Sequence, residues 1–435
     1  MKTLMIRAED KNKYEKRVPI TPEDLADIIS ETDVRVCVQK SGKRFYPDLV
    51  FEKIGAQLCD DMTSGDIILG IKEIPTEKIL DNKTYVFFSH TIKGQKDNMP
   101  MLKRIITSKS TLIDYEKITE KNGRRLVFFG PYAGDAGAIN ILWLMGQYWR
   151  HNGIMTPFSN VEQAIQYHSV DEVKRHLIKV AQQIKHTGLP DTLSPVVFGI
   201  LGYGNVSKGA QNILNVLPVK YIHPEDLPDL ESTADSRHHI YACVFKEKDL
   251  VRKKDGSKFD LLEYYHSPEK YESNFDQYLP YITILINAVY WENKYPRFVT
   301  WDALKQLHEK GHTKLQGIAD ITCDVNGSIE CNVKATDSGN PAYLCDPLTK
   351  TVTDGYEGKG ILVLAVDNLP CELAHDSSSF FSSLFKRFVP NLLEADLSKP
   401  LKKSGLLPEL QNAVIVQNGQ LTERYKYLEK HIADI

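Results

Sequence analysis

Midway along this 435-residue chain, Pro195-Val-Val-Phe-Gly-Ile-Leu runs as an apolar strand into Gly202-Tyr203-Gly204-Asn205-Val206-Ser207-Lys-Gly209, and helix-forming residues follow from Gln211 to Val216. A strand, a glycine loop and a helix in that order open a dinucleotide-binding α/β unit. Gly202 permits the tight turn, and Gly204 lets the backbone approach a pyrophosphate. The free N–H groups and dipole of the helix N-terminus then stabilise the anion. Ser207 stands where a third glycine is usual, but serine is small enough for close packing and Gly209 is nearby. Residues 202–207 are therefore the expected cofactor cradle, against the plainer reading of an ordinary strand-to-helix turn.

A chain this long exceeds one ordinary core, and two domains are expected. Residues 4–7, 34–38, 67–71, 85–88, 111–114 and 126–129 read as strands, with helices such as Pro22 to Glu31 and Met99 to Ser108 between them. Gly134 to Trp149 is apolar on nearly every side, which predicts a buried helix leading from this first α/β unit to a second. After the glycine loop, strands are expected at 218–222, 240–245, 282–287 and 315–321. Residues 246–280, rich in charge, Tyr and Pro, read as an insertion between two of them.

Charge narrows the function. Lys plus Arg number 54 against 57 Asp plus Glu, a formal charge of -3, so there is no broad basic field for nucleic acid or anionic lipid. Small molecules are the expected partners. Seven scattered cysteines without a Cys-x-x-Cys pair predict neither a disulfide framework nor a metal site, and point to a reducing compartment. The N-terminus turns charged before an apolar stretch of signal length forms, and no run approaches a membrane span. The expectation is a cytoplasmic protein, or a mitochondrial matrix domain cut from a longer precursor.

Two short apolar runs end in ionisable residues, Ile-Ile-Leu-Gly-Ile-Lys72-Glu73 and Tyr-Val-Phe-Phe-Ser-His90. Buried parallel strands open at such ends into a ligand crevice. Either residue alone reads more readily as a solvated lysine or a hydrogen-bonded structural histidine than as a catalytic group; the repeated placement suggests an amine–imidazole acid/base couple. Cofactor choice turns on the strand after the glycine loop. Val219-Lys-Tyr-Ile222 ends in His223-Pro224, where an NAD enzyme usually places an acid on the ribose hydroxyls. With no carboxylate there, and Arg237 and His238 as possible cations, NADP is favoured, while Glu225 and Asp226 keep NAD open.

Several segments together resemble one family: Glu15-Lys-Arg17-Val-Pro-Ile-Thr-Pro, Leu-Gly-Ile-Lys72-Glu73, Phe-Phe-Ser-His90-Thr-Ile-Lys93-Gly-Gln95, Asp114-Tyr-Glu116, Phe129-Gly-Pro-Tyr-Ala-Gly134, Gly-Asn-Val-Ser-Lys-Gly209-Ala, Leu-Ile-Asn287-Ala-Val-Tyr-Trp291 and Val-Asp367-Asn-Leu-Pro. The chain is similar to the lysine-ketoglutarate reductase domain of α-aminoadipic semialdehyde synthases, and more distantly to lysine-forming saccharopine dehydrogenases and alanine dehydrogenases. The resemblance implies an α/β fold of two Rossmann-like domains. A substrate domain made from both chain ends (1–135 and 366–435) would surround an inserted NAD(P)-binding domain (136–365). It also implies NADPH-dependent condensation of L-lysine with 2-oxoglutarate to saccharopine, in a homo-oligomer or a fusion to a saccharopine dehydrogenase domain. The alternatives are an NAD-linked, lysine-forming saccharopine dehydrogenase, an alanine dehydrogenase-like enzyme, or a silent NADPH-binding regulator.

By that resemblance Lys72 and His90 are the acid/base pair. The chemistry needs such a pair: a base must free the ε-amine, ordinarily protonated up to a pKa of ~10.4, and an acid must protonate the departing hydroxyl. Lysine serves only where burial or a neighbouring cation eases its proton off, and Glu73 works the other way. The substrates bring three carboxylates. Arg17 is the first expected anchor because guanidinium grips carboxylate bidentately; Arg125 and Lys93 follow, and Arg124 and Lys96 read as solvated. Glu15, Glu73 and Glu116 would hold substrate amino groups or tune the couple. Asn287 and Asp367 are expected at strand ends facing the nicotinamide. For Asp320 and Asp324 a strand-end turn competes evenly with a place near the cofactor.

Overall fold

In the computed structural model, which describes residues 1–312 and 314–433, the chain forms two compact units. One is built from Met1–Phe129 with Ala374–Ile435, the other from Gly130–Leu373.

The first unit opens with six strands: β1 (Thr3–Ile6), β2 (Arg35–Gln39), β3 (Gln57–Cys59), β4 (Ile67–Leu69), β5 (Thr84–Phe87) and β6 (Thr111–Asp114). They pair in parallel in the order β6-β5-β4-β1-β2-β3. Chain direction across the sheet reverses between β1 and β4, so the crevice of a doubly wound sheet falls beyond their carboxyl ends. The helix Pro22–Glu31 has the sequence features that start one: Thr21 accepts from the Asp24 N–H through its hydroxyl, and Pro22 follows with its φ already helical. The expected strand at 126–129 does not form. Arg125 makes an isolated bridge with Thr119, and Phe129 instead stacks on Phe381 at 4.5 Å.

The second unit contributes β7 (Val196–Leu201), β8 (Val219–Tyr221), β9 (Ile240–Phe245), the hairpin β10 (Val251–Lys253) with β11 (Tyr271–Ser273), then β12 (Ile284–Asn287), β13 (Gly317–Asp320), β14 (Ala342–Asp346), β15 (Thr351–Asp354) and β16 (Ile361–Leu364). The large sheet runs β15-β14-β16-β13-β12-β7-β9-β8, parallel from β16 to β8. Alternate β7 residues enter different cores, Val196, Phe198 and Ile200 one, Val197 and Leu201 the other. That two-sided burial is why β7 is apolar throughout. The connecting helix spans Gly130–His151, starting a turn before the expected Gly134. It packs on the helix Asn205–Leu214, where a Cβ on Gly134 would lie 1.9 Å from the Val206 carbonyl oxygen and one on Gly209 would lie 1.9 Å from that of Pro131. Close helix approach thus falls to this glycine pair, and Ser207 is buried with its hydroxyl accepting from Gln211. Asp135 beside them accepts from Asn212 at 2.9 Å.

The chain then returns to the first unit. β17 (Val414–Gln417) joins β6 antiparallel and β18 (Gln420–Leu421) completes that sheet. No helix among the described residues is long and apolar enough to cross a membrane.

Candidate active site

In the first unit, Arg7 and Glu9 follow β1, Lys72 and Glu73 follow β4, His90 follows β5 and Glu116 follows β6. Parallel pairing puts all four strand ends on one edge of the sheet. His90 Nδ1 lies 2.6 Å from Oε1 of Glu73, whose side chain is 9% exposed. Burial pushes the Glu73 carboxyl up, but the His90 bond and charge, with Lys72 and Lys11, more than reverse this and hold it at about 2. An ionised Glu73 fixes Nδ1 as the donor, so Nε2 is the nitrogen that exchanges protons in neutral imidazole. His90 holds this place with φ at 47°, a left-handed conformation uncommon for a side chain of its size.

Two buried carboxylates position the pair, and sequence reasoning had given neither a role, Asp114 entering only at the start of a family-like segment. Glu9 accepts from the Ile71 N–H at 2.7 Å and the Lys72 N–H at 3.0 Å, with Arg7 Nη1 at 3.3 Å. A Cβ on Gly70 would touch Arg7 Cδ at 2.8 Å, so glycine lets Arg7 lie beneath the turn. Asp114 accepts from the Ser89 N–H at 3.1 Å and from the Ser89 hydroxyl, fixing the backbone just before His90. Burial raises both carboxyls against these donors. The available signal was an acid at the end of an apolar parallel strand, as Asp114 is in β6, or three residues beyond one, as Glu9 is after β1, where backbone N–H groups leave the ladder.

The expected anchors divide. Arg17 is 2% exposed and donates to Glu15 through Nε at 2.8 Å and Nη2 at 2.6 Å, with its guanidinium 4.2 Å from the Phe129 ring centre. Most of its carboxylate fork is therefore engaged within the protein. Arg125 is half exposed and paired with Glu116, and Lys93 is exposed.

In the second unit the loop fits a dinucleotide. Gly202 has φ +89° and would bring a Cβ within 2.9 Å of Val289, whereas a Cβ on Gly204 would meet nothing within 4 Å. Open space over Gly204 and the N-terminal N–H groups of Asn205, Val206 and Ser207 are what a pyrophosphate requires. Tyr203 and Gly204 line a cavity of about 370 Å³.

Two expected cofactor residues lie elsewhere. β9, not β8, adjoins β7, so His223 follows the strand at the sheet edge. Arg237 precedes β9 and pairs with Asp191 at 3.0 Å. The glycine loop lies beyond the other end of that six-residue strand, about 20 Å away at roughly 3.3 Å per residue. The residues that follow β9 are Lys246 and Glu247, and Glu247 lines the cavity with the glycine loop. Asn287 and Asp320 are buried and bonded to each other at 2.8 Å, with Asn332 donating to the second Asp320 oxygen. They hold the ends of β12 and β13 together, and burial raises the Asp320 carboxyl despite these donors. Asp367 is exposed beyond β16.

Comparison with known proteins places this architecture. Residues 5–136 match the family model of the alanine dehydrogenase/PNT N-terminal domain, and residues 247–424 match that of the C-terminal domain. The chain belongs to the alanine dehydrogenase/PNT family. Within it, the chain is 38% identical over 98% of its length to alpha-aminoadipic semialdehyde synthase of Arabidopsis thaliana, covering 41% of that protein. It is 36% identical to the mitochondrial synthase of Mus musculus, covering 47%. It thus spans less than half the length of these relatives. Saccharopine dehydrogenase [NAD(+), L-lysine-forming] of Schizosaccharomyces pombe is 25% identical over 90% of this chain and 92% of that protein. An L-alanine dehydrogenase structure shares the fold, with a TM-score of 0.63 at 16% identity over 99% of both chains.

Proposed function

We propose that the chain is a lysine-ketoglutarate reductase, joining the ε-amine of L-lysine to the ketone of 2-oxoglutarate and reducing the product to saccharopine. The observation that carries this reading is the Glu73–His90 pair beside Lys72 at the reversal of the first sheet. A reduced nicotinamide dinucleotide, when bound, supplies the hydride. His90 Nε2 accepts the proton that frees the substrate amine and returns a proton to the departing hydroxyl. Glu73 stabilises the imidazolium between those steps. Lys72 places a positive charge beside Glu73 and serves as the second proton-transfer group. Arg125 and Lys93 are the exposed cations that meet substrate carboxylates, and Arg17 keeps the buried carboxylate of Glu15 in place. The 38% identity to a semialdehyde synthase over nearly the whole chain supports this choice of reaction.

The same bonds made in reverse describe the NAD-linked, lysine-forming reaction, which the similarity to the Schizosaccharomyces pombe protein over 90% of the chain favours. Purified protein with NADH or NADPH should consume the nucleotide only when lysine and 2-oxoglutarate are both present, with saccharopine identified by mass. Turnover with pyruvate and ammonia instead would show an alanine dehydrogenase-like enzyme.

A further inference from the structure

The loop that carries His90 and Lys93 is held from two sides. On one side Asn98 donates through Nδ2 to the His90 carbonyl at 3.2 Å, and within the loop the Gly94 N–H donates to the Thr91 carbonyl at 2.9 Å. The other side is covered by residues 425–431, more than three hundred positions away in the chain. The Tyr427 hydroxyl donates to the Ile92 carbonyl at 2.6 Å. Four residues on, the His431 ring lies face-on against Gly94, where a Cβ would stand 2.7 Å from its Cγ, Cδ2 and Cε1 alike. Glycine is required there twice over, since Gly94 also has φ +69°.

The covering segment is itself anchored. Tyr425 and Leu428 are buried in the core of the first unit, and the Tyr425 hydroxyl donates to the Asn412 carbonyl at 2.7 Å. Residues three or four apart share one face of a helical turn, so Tyr425 and Leu428 fall inward together while Tyr427 and His431 meet the loop. The loop needs such support. His90 at φ 47° and Gly94 at φ +69° both hold left-handed backbone, which for His90 persists only where its surroundings over-determine it.

We infer that Tyr427 and His431 are positioning residues, bracing loop 91–95 so that His90 stays on Glu73 and Lys93 stays in reach of substrate. Neither touches the reacting groups; each acts through the loop backbone. The inference rests on the reading of His90 as the proton-transfer group, and its first test needs no turnover.

That test is proton NMR of the intact chain. The His90 Nδ1 proton, in a charge-assisted bond to Glu73, should resonate far downfield and be identified by its loss in His90→Gln. Tyr427→Phe removes only a hydroxyl from an exposed side chain. It should melt with the parent yet shift or broaden this resonance. In turnover it should lower kcat about fivefold, the scale of one hydrogen bond, with nucleotide affinity unchanged. The second contact is tested by a double-variant cycle. Gly94→Ala should lower the unfolding midpoint less in a His431→Ala background, where the ring is gone, than in the parent. An unmoved His90 proton in Tyr427→Phe, or the same Gly94→Ala penalty in both backgrounds, overturns the inference. A shifted proton in a chain that forms no saccharopine keeps the brace and removes only the reductase reading.

Discussion

The carboxylate of Glu73 and the imidazole of His90 stand 2.6 Å apart, joining the ends of adjacent parallel strands, with the carboxylate buried and the imidazole partly exposed. Each fixes what the other can do. The imidazole keeps Glu73 ionised, and the ionised carboxylate decides which nitrogen of His90 is left for proton transfer.

Glu73 therefore links stability to pH. Its carboxyl is held at about 2 in the folded protein, below the ordinary unfolded value of ~4.3. The folded state favours the carboxylate, so this stabilisation is complete above about pH 5 and is lost as pH falls toward about 2. It is on the order of 3 kcal/mol at about 1.4 kcal/mol per unit. Urea unfolding of the parent and of Glu73→Gln across this range should give a difference that is flat at neutral pH and shrinks steadily below about pH 4.5. A difference that does not change with pH would mean that the pair carries no ionic coupling.

Glu9→Gln should cost more than an ordinary strand-end substitution, because Glu9 is buried. One amide oxygen cannot replace the carboxylate that accepts from Ile71, Lys72 and Arg7 together. Leaving a buried donor unpaired costs roughly 1–3 kcal/mol. Chemical denaturation should show that loss, and turnover should fall with it because the Lys72 backbone is released. A fully stable and fully active variant would remove the positioning role.

Arg17 and Glu15 form a buried ion pair, 2% and 1% exposed. Removing one partner leaves a buried charge, so Glu15→Leu should destabilise the protein by roughly 3–5 kcal/mol, and the double variant Glu15→Leu/Arg17→Met should recover much of that. A double variant as unstable as the sum of the two single changes would show that the pair is not coupled.

Much of this was readable in the sequence because it is local. Val196–Leu201 and its glycine loop, and the strands that end before Lys72 and His90, announce themselves by uninterrupted apolar runs and the residues that break them. Sheet order is not local. Chain order made β8 the natural neighbour of β7, and the expectation for His223 followed from that. The clue lay in composition: Ile240–Phe245 is apolar on both faces, as a central strand must be, whereas Val219-Lys-Tyr exposes two of three residues, as an edge can. Partnerships between distant residues were equally hidden, since Glu9 meets Lys72 only through the pairing of β1 with β4. Arg17 and Glu15 were both singled out, but periodicity says nothing about two charges satisfying one another.

The most direct test of the acid/base assignment is saccharopine formation by Lys72→Met and His90→Gln, with nucleotide affinity measured alongside. Each variant should lose about a hundredfold or more in kcat while binding the reduced nucleotide as the parent does, because Gly202 to Ser207 belong to the other unit. Each should also lose one limb of the pH–rate profile. Near-parental kcat with an unchanged profile in both variants would contradict the account and leave these strand-end residues with a structural role only.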